Sequence, residues 1–192
     1  MGVSHSVYMA NAAGQEIYVM ASLNPDWAIV DFVTDIGLLF VAVGEIKAVA
    51  TAAELPETLV TLRDLYEFLK IAAKLLSASI SAGTRPGEAA LALLDAFKKT
   101  SIPIANGDHK NVKDEGVLGI YLSADGIASL FGASTVSVIV MSGDGKQVAM
   151  YNTGADDSWI ATNEEKIVRS KYGSIWQQDP GAGTVEWPVQ RQ

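Results

Sequence analysis

Residues 137–159, SVIVMSGDGKQVAMYNTGADDSW, decide the fold class of this chain. An apolar, β-branched run precedes a Gly-Asp-Gly triplet and a second strand-like run follows it, which is typical of two antiparallel strands joined by a short turn. The N-terminal stretch 6–27, SVYMANAAGQEIYVMASLNPDW, repeats the arrangement of Ser-Val, six residues, a Gly, an apolar run and an acidic loop that ends in Trp. The repeat predicts two equivalent hairpins, the first over 6–22.

Further short strand-like runs occupy residues 112–189, where Gly, Pro, Asp and Asn divide them. Runs of this length between turn residues predict antiparallel strands. Because an isolated two-stranded hairpin is marginal in water, we expect the N-terminal hairpin to pair with these C-terminal strands. The two ends of the chain together predict an antiparallel, β-sandwich-like sheet.

The intervening residues 25–100 carry apolar side chains at helical rather than two-residue spacing. The clearest helical seam consists of Leu59, Leu62, Tyr66, Leu69, Ala73 and Leu76. A further helix is predicted over 88–99. Its last two residues are lysines, whose positive charges are stabilised by the negative C-terminal end of the helix dipole. The sequence therefore predicts one α+β domain over residues 1–192, with about three helices inserted between the β regions.

The first predicted helix lies within residues 27–53, which are strongly apolar. Its unbroken apolar run, residues 36–44, is shorter than the ~20 residues that a membrane span needs. A buried core helix is the favoured interpretation, and a segment that leaves the core to enter a bilayer is the alternative.

Composition excludes several classes of function. The chain has no cysteine, which excludes disulfides, zinc-thiolate sites and thiol catalysis. Its formal charge is −8 and it has no cluster of basic residues, so nothing favours nucleic-acid binding. The N-terminus lacks the pattern of a secretory signal, and we expect a soluble protein that is cytoplasmic or secreted in mature form. Gly2 and Ser6 fit a short myristoylation pattern that is common by chance.

Candidate site residues come from two groups of side chains. Aromatic residues near β-loops can stack on sugar rings or lie at a lipid headgroup interface, although such residues also fill cores. The candidate ligand-binding residues are Trp27, Tyr151, Trp159, Tyr172 and Trp176. Acidic loop residues could hold calcium or serve ordinary turns, and these are Asp144, Asp156 and Asp157. No histidine has the neighbours of a nucleophile or metal site, so no enzyme and no other cofactor is predicted.

In size, absence of cysteine and aromatic β-loops, the chain is similar to small water-soluble cytolysins and lectins, although no motif identifies a family. We therefore expect a non-enzymatic recognition protein that engages a glycan or membrane surface through its β-loops. The alternatives are a carrier or store for a hydrophobic small molecule, and a self-assembling structural protein that forms homo-oligomers.

Overall fold

The computed structural model describes residues 7–22, 62–85, 87–112, 135–154 and 156–187. These residues form a mixed α+β fold of two helices and ten strands. The helices are α1 (Leu62–Ser81) and α2 (Glu88–Thr100). The strands are β1 (Tyr8–Ala12), β2 (Ile17–Ser22), β3 (Ile102–Ile104), β4 (His109–Asn111), β5 (Thr135–Ser142), β6 (Val148–Gly154), β7 (Trp159–Thr162), β8 (Lys166–Lys171), β9 (Ser174–Gln178) and β10 (Thr184–Glu186).

The strands belong to two sheets. Sheet A has six strands in the order β10-β8-β7-β1-β4, with β9 also paired to β8, and it curls into a half-barrel. Sheet B has four strands in the order β3-β2-β5-β6. The predicted pairing of N-terminal with C-terminal strands is confirmed, since β1 pairs with β7 and β2 with β5. The β1–β7 pair is parallel, however, so the prediction of a wholly antiparallel sheet is wrong.

The two faces of sheet B pack into two different hydrophobic cores, because apolar side chains alternate between the faces along its strands. On β5, Val138 and Val140 pack with residues of sheet A, among them Met9 and Trp159. The intervening Ile139 and Met141 pack with the apolar faces of α1 and α2. Successive side chains of a strand point to opposite faces, so a run of apolar residues in β5 is what a strand covered on both faces requires.

The N-terminal hairpin predicted over 6–22 is not formed, because β1 and β2 lie in different sheets. The chain turns between them at a corner that the buried amide of Asn11 holds. Its Nδ2 donates to the carbonyls of Gln15 and Ile104 at 2.7 and 2.8 Å, while its Oδ1 accepts from the Ala13 N–H at 2.9 Å. These bonds satisfy backbone N–H and C=O groups that lack strand partners where the chain passes from one sheet to the other.

A second bend, between β3 and β4, lies beside this corner. The Asn11 carbonyl accepts from the N–H of Gly107 at 2.7 Å, and the Asn11 N–H donates to the carbonyl of Asp108 at 2.9 Å. Gly107 has φ +86°, a conformation that a residue with a Cβ rarely adopts. The β1–β2 and β3–β4 segments therefore bend together from one sheet into the other, whereas the repeat at 137–159 forms the predicted hairpin between β5 and β6.

Two of the three predicted helices are present in the described part of the chain, and α2 agrees closely with the prediction over 88–99. In α1 the predicted seam residues Leu69, Ala73 and Leu76 are buried, whereas Tyr66 is half-buried. The predicted helix within 27–53 lies outside the described residues. Among the residues that the structure describes, no helix is both long enough and apolar enough to cross a membrane.

Candidate functional site

An open groove of about 810 Å³ lies where the β8–β9 hairpin meets the outer face of sheet A. The hairpin turns at Tyr172 and Gly173 and folds back so that Ile175 packs against Ala10, Ile160 and Val168. The groove is lined by Tyr8, His109, residues 156–158, residues 169–175, Asp179 and Ala182. Its volume falls within the ~300–1,000 Å³ typical of small-molecule sites.

Three aromatic rings form a row, and we call Tyr8, His109 and Trp176 the aromatic row. Tyr8 and His109 line the groove, whereas Trp176 contacts His109 and is not part of the lining. The His109 ring lies between the other two, with both ring centroids 6.1 Å away. Its contact with Trp176 is edge-to-face at 88°, a favourable arrangement for aromatic quadrupoles. Trp176 is 43% exposed and His109 is exposed as well, so the row presents ring surface to solvent.

The hairpin tip places a further aromatic side chain at the groove. Tyr172 lines it and is fully exposed. The tip is shaped by Gly173, whose φ of +81° permits the tight turn that reverses the chain between β8 and β9. Tyr172 and Trp176, both predicted as ligand-binding residues, are thus brought together on one hairpin.

A polar network holds one wall of the groove. The Asp157 carboxylate accepts from the Gly154 N–H at 2.9 Å and from the Thr153 hydroxyl at 3.1 Å, and it pairs with the Arg169 guanidinium. The Trp159 indole N–H in turn donates to Thr153 Oγ1 at 2.7 Å. Each acceptor fixes its donor, so the carboxylate and guanidinium are held in place before any ligand arrives.

The other two described aromatic candidates, Tyr151 and Trp159, lie beneath this network rather than on the surface. Their ring centroids are 4.6 Å apart, and the side chains are only 8% and 6% exposed. Burial raises the pKa of the Tyr151 phenol well above its usual value, because the charged phenolate would lose its hydration. Trp27, the remaining aromatic candidate, lies outside the described residues.

The three acidic candidates are divided between two places. Asp156 and Asp157 line the groove. Asp144 lies in the β5–β6 turn, where its carboxylate accepts from the Ser142 hydroxyl at 2.6 Å and from the Lys146 N–H at 3.0 Å. Within the described ranges, no group of three or more acidic or histidine side chains could hold a metal ion.

Several groove residues had no role in the sequence interpretation, namely Tyr8, His109, Arg169, Lys171 and Asp179. They come from β1, β4, β8 and the segment before β10, so only the sheet topology brings them together. One local signal was available for the exposed aromatics: Trp176 is followed by two glutamines, and Tyr172 precedes a glycine. Aromatic side chains among polar neighbours and turn residues often lie at a strand surface rather than in a core.

Comparison of the chain with protein-family models, with curated proteins and with solved structures finds no match.

Proposed function

We propose that the protein is a non-enzymatic glycan-binding protein whose ligand lies in the groove. The observation that carries the proposal is an open groove lined by fixed polar groups and by Tyr8 and His109, with the exposed ring of Trp176 in contact with His109 beside it. A sugar ring has a face of C–H groups that packs on an aromatic ring, and hydroxyls around its edge that need both donors and acceptors. The groove supplies the two kinds of surface side by side.

Polar groups of both kinds line the groove. Lys171 is a donor and Asp179 an acceptor, the hydroxyls of Ser158 and Ser174 can act as either, and Arg169 and Asp157 are paired with each other at the wall. Ser170 is already engaged, since its hydroxyl donates to the carbonyl of Ile175 at 2.8 Å. A mixed set of this kind suits a ligand rich in hydroxyls better than a purely apolar one.

A lipid surface, the other ligand considered from the sequence, finds less support here. The exposed aromatics lie beside carboxylates in a groove, and the whole chain carries a formal charge of −8. Anionic headgroups would be repelled by such a surface. The carrier and self-assembly alternatives stay predictions, with the exposed apolar side chains of Leu75, Ile80 and Leu91 as sites to probe for association.

The test is binding to immobilised gluco-, galacto-, manno- and N-acetylglucosamine oligosaccharides, followed by calorimetry on those retained. Trp176→Ala is expected to weaken binding about tenfold or more, because the row loses its most exposed large ring. Leu75→Ala is the matched control, since Leu75 is 44% exposed on α1, whose buried face packs against sheet B rather than the groove. Retention of no oligosaccharide by the wild type would refute the proposed function. Equal affinity of Trp176→Ala and wild type would refute the role assigned to the aromatic row.

A further inference from the structure

Sheet B ends at β6, and within the described residues no strand pairs with the outer side of β6. The strand has seven residues, none of them charged and none of them proline. An unpaired strand edge presents a row of N–H and C=O groups that another strand can join. Native proteins usually block such an edge with a charge, a proline, a bulge or a very short strand. β6 has none of these features.

The other strand edges in the described ranges do carry such features. β3, β4 and β10 have only three residues each, and they contain Pro103, Lys110 and Glu186 respectively. β9 joins β8 through an irregular register at Ser170 and Lys171. The contrast indicates that β6 is the edge at which this fold can accept a further strand.

The hydrogen bonds of the β5–β6 hairpin decide which backbone groups point outward from β6. The Ser142 N–H donates to the carbonyl of Gln147 at 2.9 Å. Because bonded and non-bonded pairs alternate along an antiparallel ladder, residues 149, 151 and 153 bond to β5, whereas residues 148, 150, 152 and 154 direct their backbone groups outward. Gly154 agrees with this alternation, since its N–H donates to Asp157 Oδ2 at 2.9 Å and its carbonyl accepts from the Asp157 N–H at 3.2 Å.

Three residues of the edge keep outward backbone groups that no bond between described residues uses, namely Val148, Met150 and Asn152. Their spacing of two suits a second β6 in antiparallel orientation, related by a two-fold axis at Met150. Val148 of one copy then lies opposite Asn152 of the other, and about six hydrogen bonds form between the strands. Because β6 is uncharged, it can meet its own copy without like-charge repulsion, although the chain carries a formal charge of −8.

We propose that two copies of the chain associate through β6, so that sheet B continues across the two-fold axis as one eight-stranded sheet. The paired segment ends before Gly154, because Asp157 occupies the outward groups of that residue. α1 packs over β6, with Val148 and Met150 in the apolar layer beneath it. The α1 helices of the two copies therefore lie side by side above the joint. The proposal does not depend on glycan binding.

Sedimentation velocity of the full chain, from low to high micromolar concentration, tests the association. We expect a species of twice the chain mass at the upper end of this range. Met150→Lys places two like charges opposite each other at the axis and should raise the dimer dissociation constant about tenfold or more. Leu91→Lys adds the same charge at an exposed position of α2, which packs over β2, and should change the constant by no more than about twofold.

A second edge variant covers the possibility that Met150→Lys fails to fold, since Met150 is half-buried. Asn152 is exposed and its N–H points outward, so Asn152→Pro removes one edge donor in each copy while the bonds to β5 remain. It should also raise the dissociation constant about tenfold or more, because each dimer loses two hydrogen bonds. Circular dichroism checks that each variant is folded.

Amide hydrogen exchange at low and high protein concentration tests the edge residue by residue. The N–H groups of Val148, Met150 and Asn152 should exchange about tenfold or more slowly at the high concentration. Those of Ala149 and Tyr151 already bond to β5 and should exchange slowly at both concentrations.

Three results would overturn the proposal. The first is a monomer over the whole concentration range. The second is a dimer in which the outward amides of β6 exchange at the same rate at both concentrations. The third is a dimer that Leu91→Lys weakens as much as the edge variants do, since association would then use the helical face instead of β6.

Discussion

Asn11→Ala is expected to lower the free energy of unfolding by about 2–4 kcal/mol. The side chain of Asn11 is fully buried and makes three hydrogen bonds to backbone groups on both sides of the corner. Alanine would leave the carbonyl of Ile104 without this donor in a buried position, which costs more than the bond itself contributes. Urea denaturation followed by far-ultraviolet circular dichroism measures the change.

Two further variants test whether the loss of stability comes from the buried amide of Asn11. Asn11→Asp keeps the shape and the acceptor but replaces the amide donor with a buried carboxylate facing two carbonyls, so it should destabilise at least as much as alanine. Asn163→Ala removes the same side chain from an exposed loop between β7 and β8 and should change stability by no more than about 0.5 kcal/mol. Similar stability of Asn11→Ala and Asn163→Ala would contradict the role assigned to the corner.

Asp157→Ala should have two effects together. It should lower the free energy of unfolding by about 2–3 kcal/mol, because the Thr153 hydroxyl, the Gly154 N–H and the Arg169 guanidinium all lose an acceptor. It should also weaken glycan binding about tenfold or more, because Arg169 is no longer held at the groove wall. Denaturation measures the first effect and calorimetry with a retained oligosaccharide measures the second.

Conservative and remote variants separate these effects. Asp157→Asn keeps an acceptor for Thr153 and Gly154 but loses the charge that pairs with Arg169, so its stability should lie between those of alanine and wild type. Asp95→Ala removes an exposed acid on α2 and should alter neither property. Full stability and full affinity of Asp157→Ala would show that the network does not position Arg169.

Local pattern was sufficient for most strands and helices but not for their pairing. Alternation and turn residues predicted the β5–β6 hairpin and further short strands within 112–189, where β7 to β10 lie, because a short apolar run between turn residues has few other conformations. The partner of β1 could not be predicted in this way. Whether β1 pairs with β2 or with β7 depends on the Asn11 corner, whose hydrogen-bond acceptor Ile104 lies 93 residues further along the chain. The short strands β3 and β4, which lie between the predicted helical insertion and the predicted C-terminal strands, were missed for a similar reason.

The candidate site was predictable only in part, because aromatic residue types indicate surface binding and core packing equally well. Trp159 and Trp176 were assigned the same role from sequence, yet the first is buried beneath the groove and the second is exposed. The difference follows from the sheet: Trp159 of β7 faces the core between the sheets, whereas Trp176 of β9 lies beside His109 on the outer face. The Arg169 side chain is held by its ion pair with Asp157, which lies twelve residues away in the chain. No sequence spacing predicted this pair.

The most direct test of glycan binding in the groove is a ¹H–¹⁵N correlation spectrum of the tryptophan indoles during titration with each neutral oligosaccharide of the panel. Trp176 lies in the aromatic row, while Trp159 and Trp187 are buried and provide internal references. If a glycan binds beside the aromatic row, at least one oligosaccharide should shift the Trp176 indole signal in a saturable manner and leave the signals of Trp159 and Trp187 nearly unchanged. An unmoved Trp176 signal with every oligosaccharide at millimolar concentration would contradict this binding.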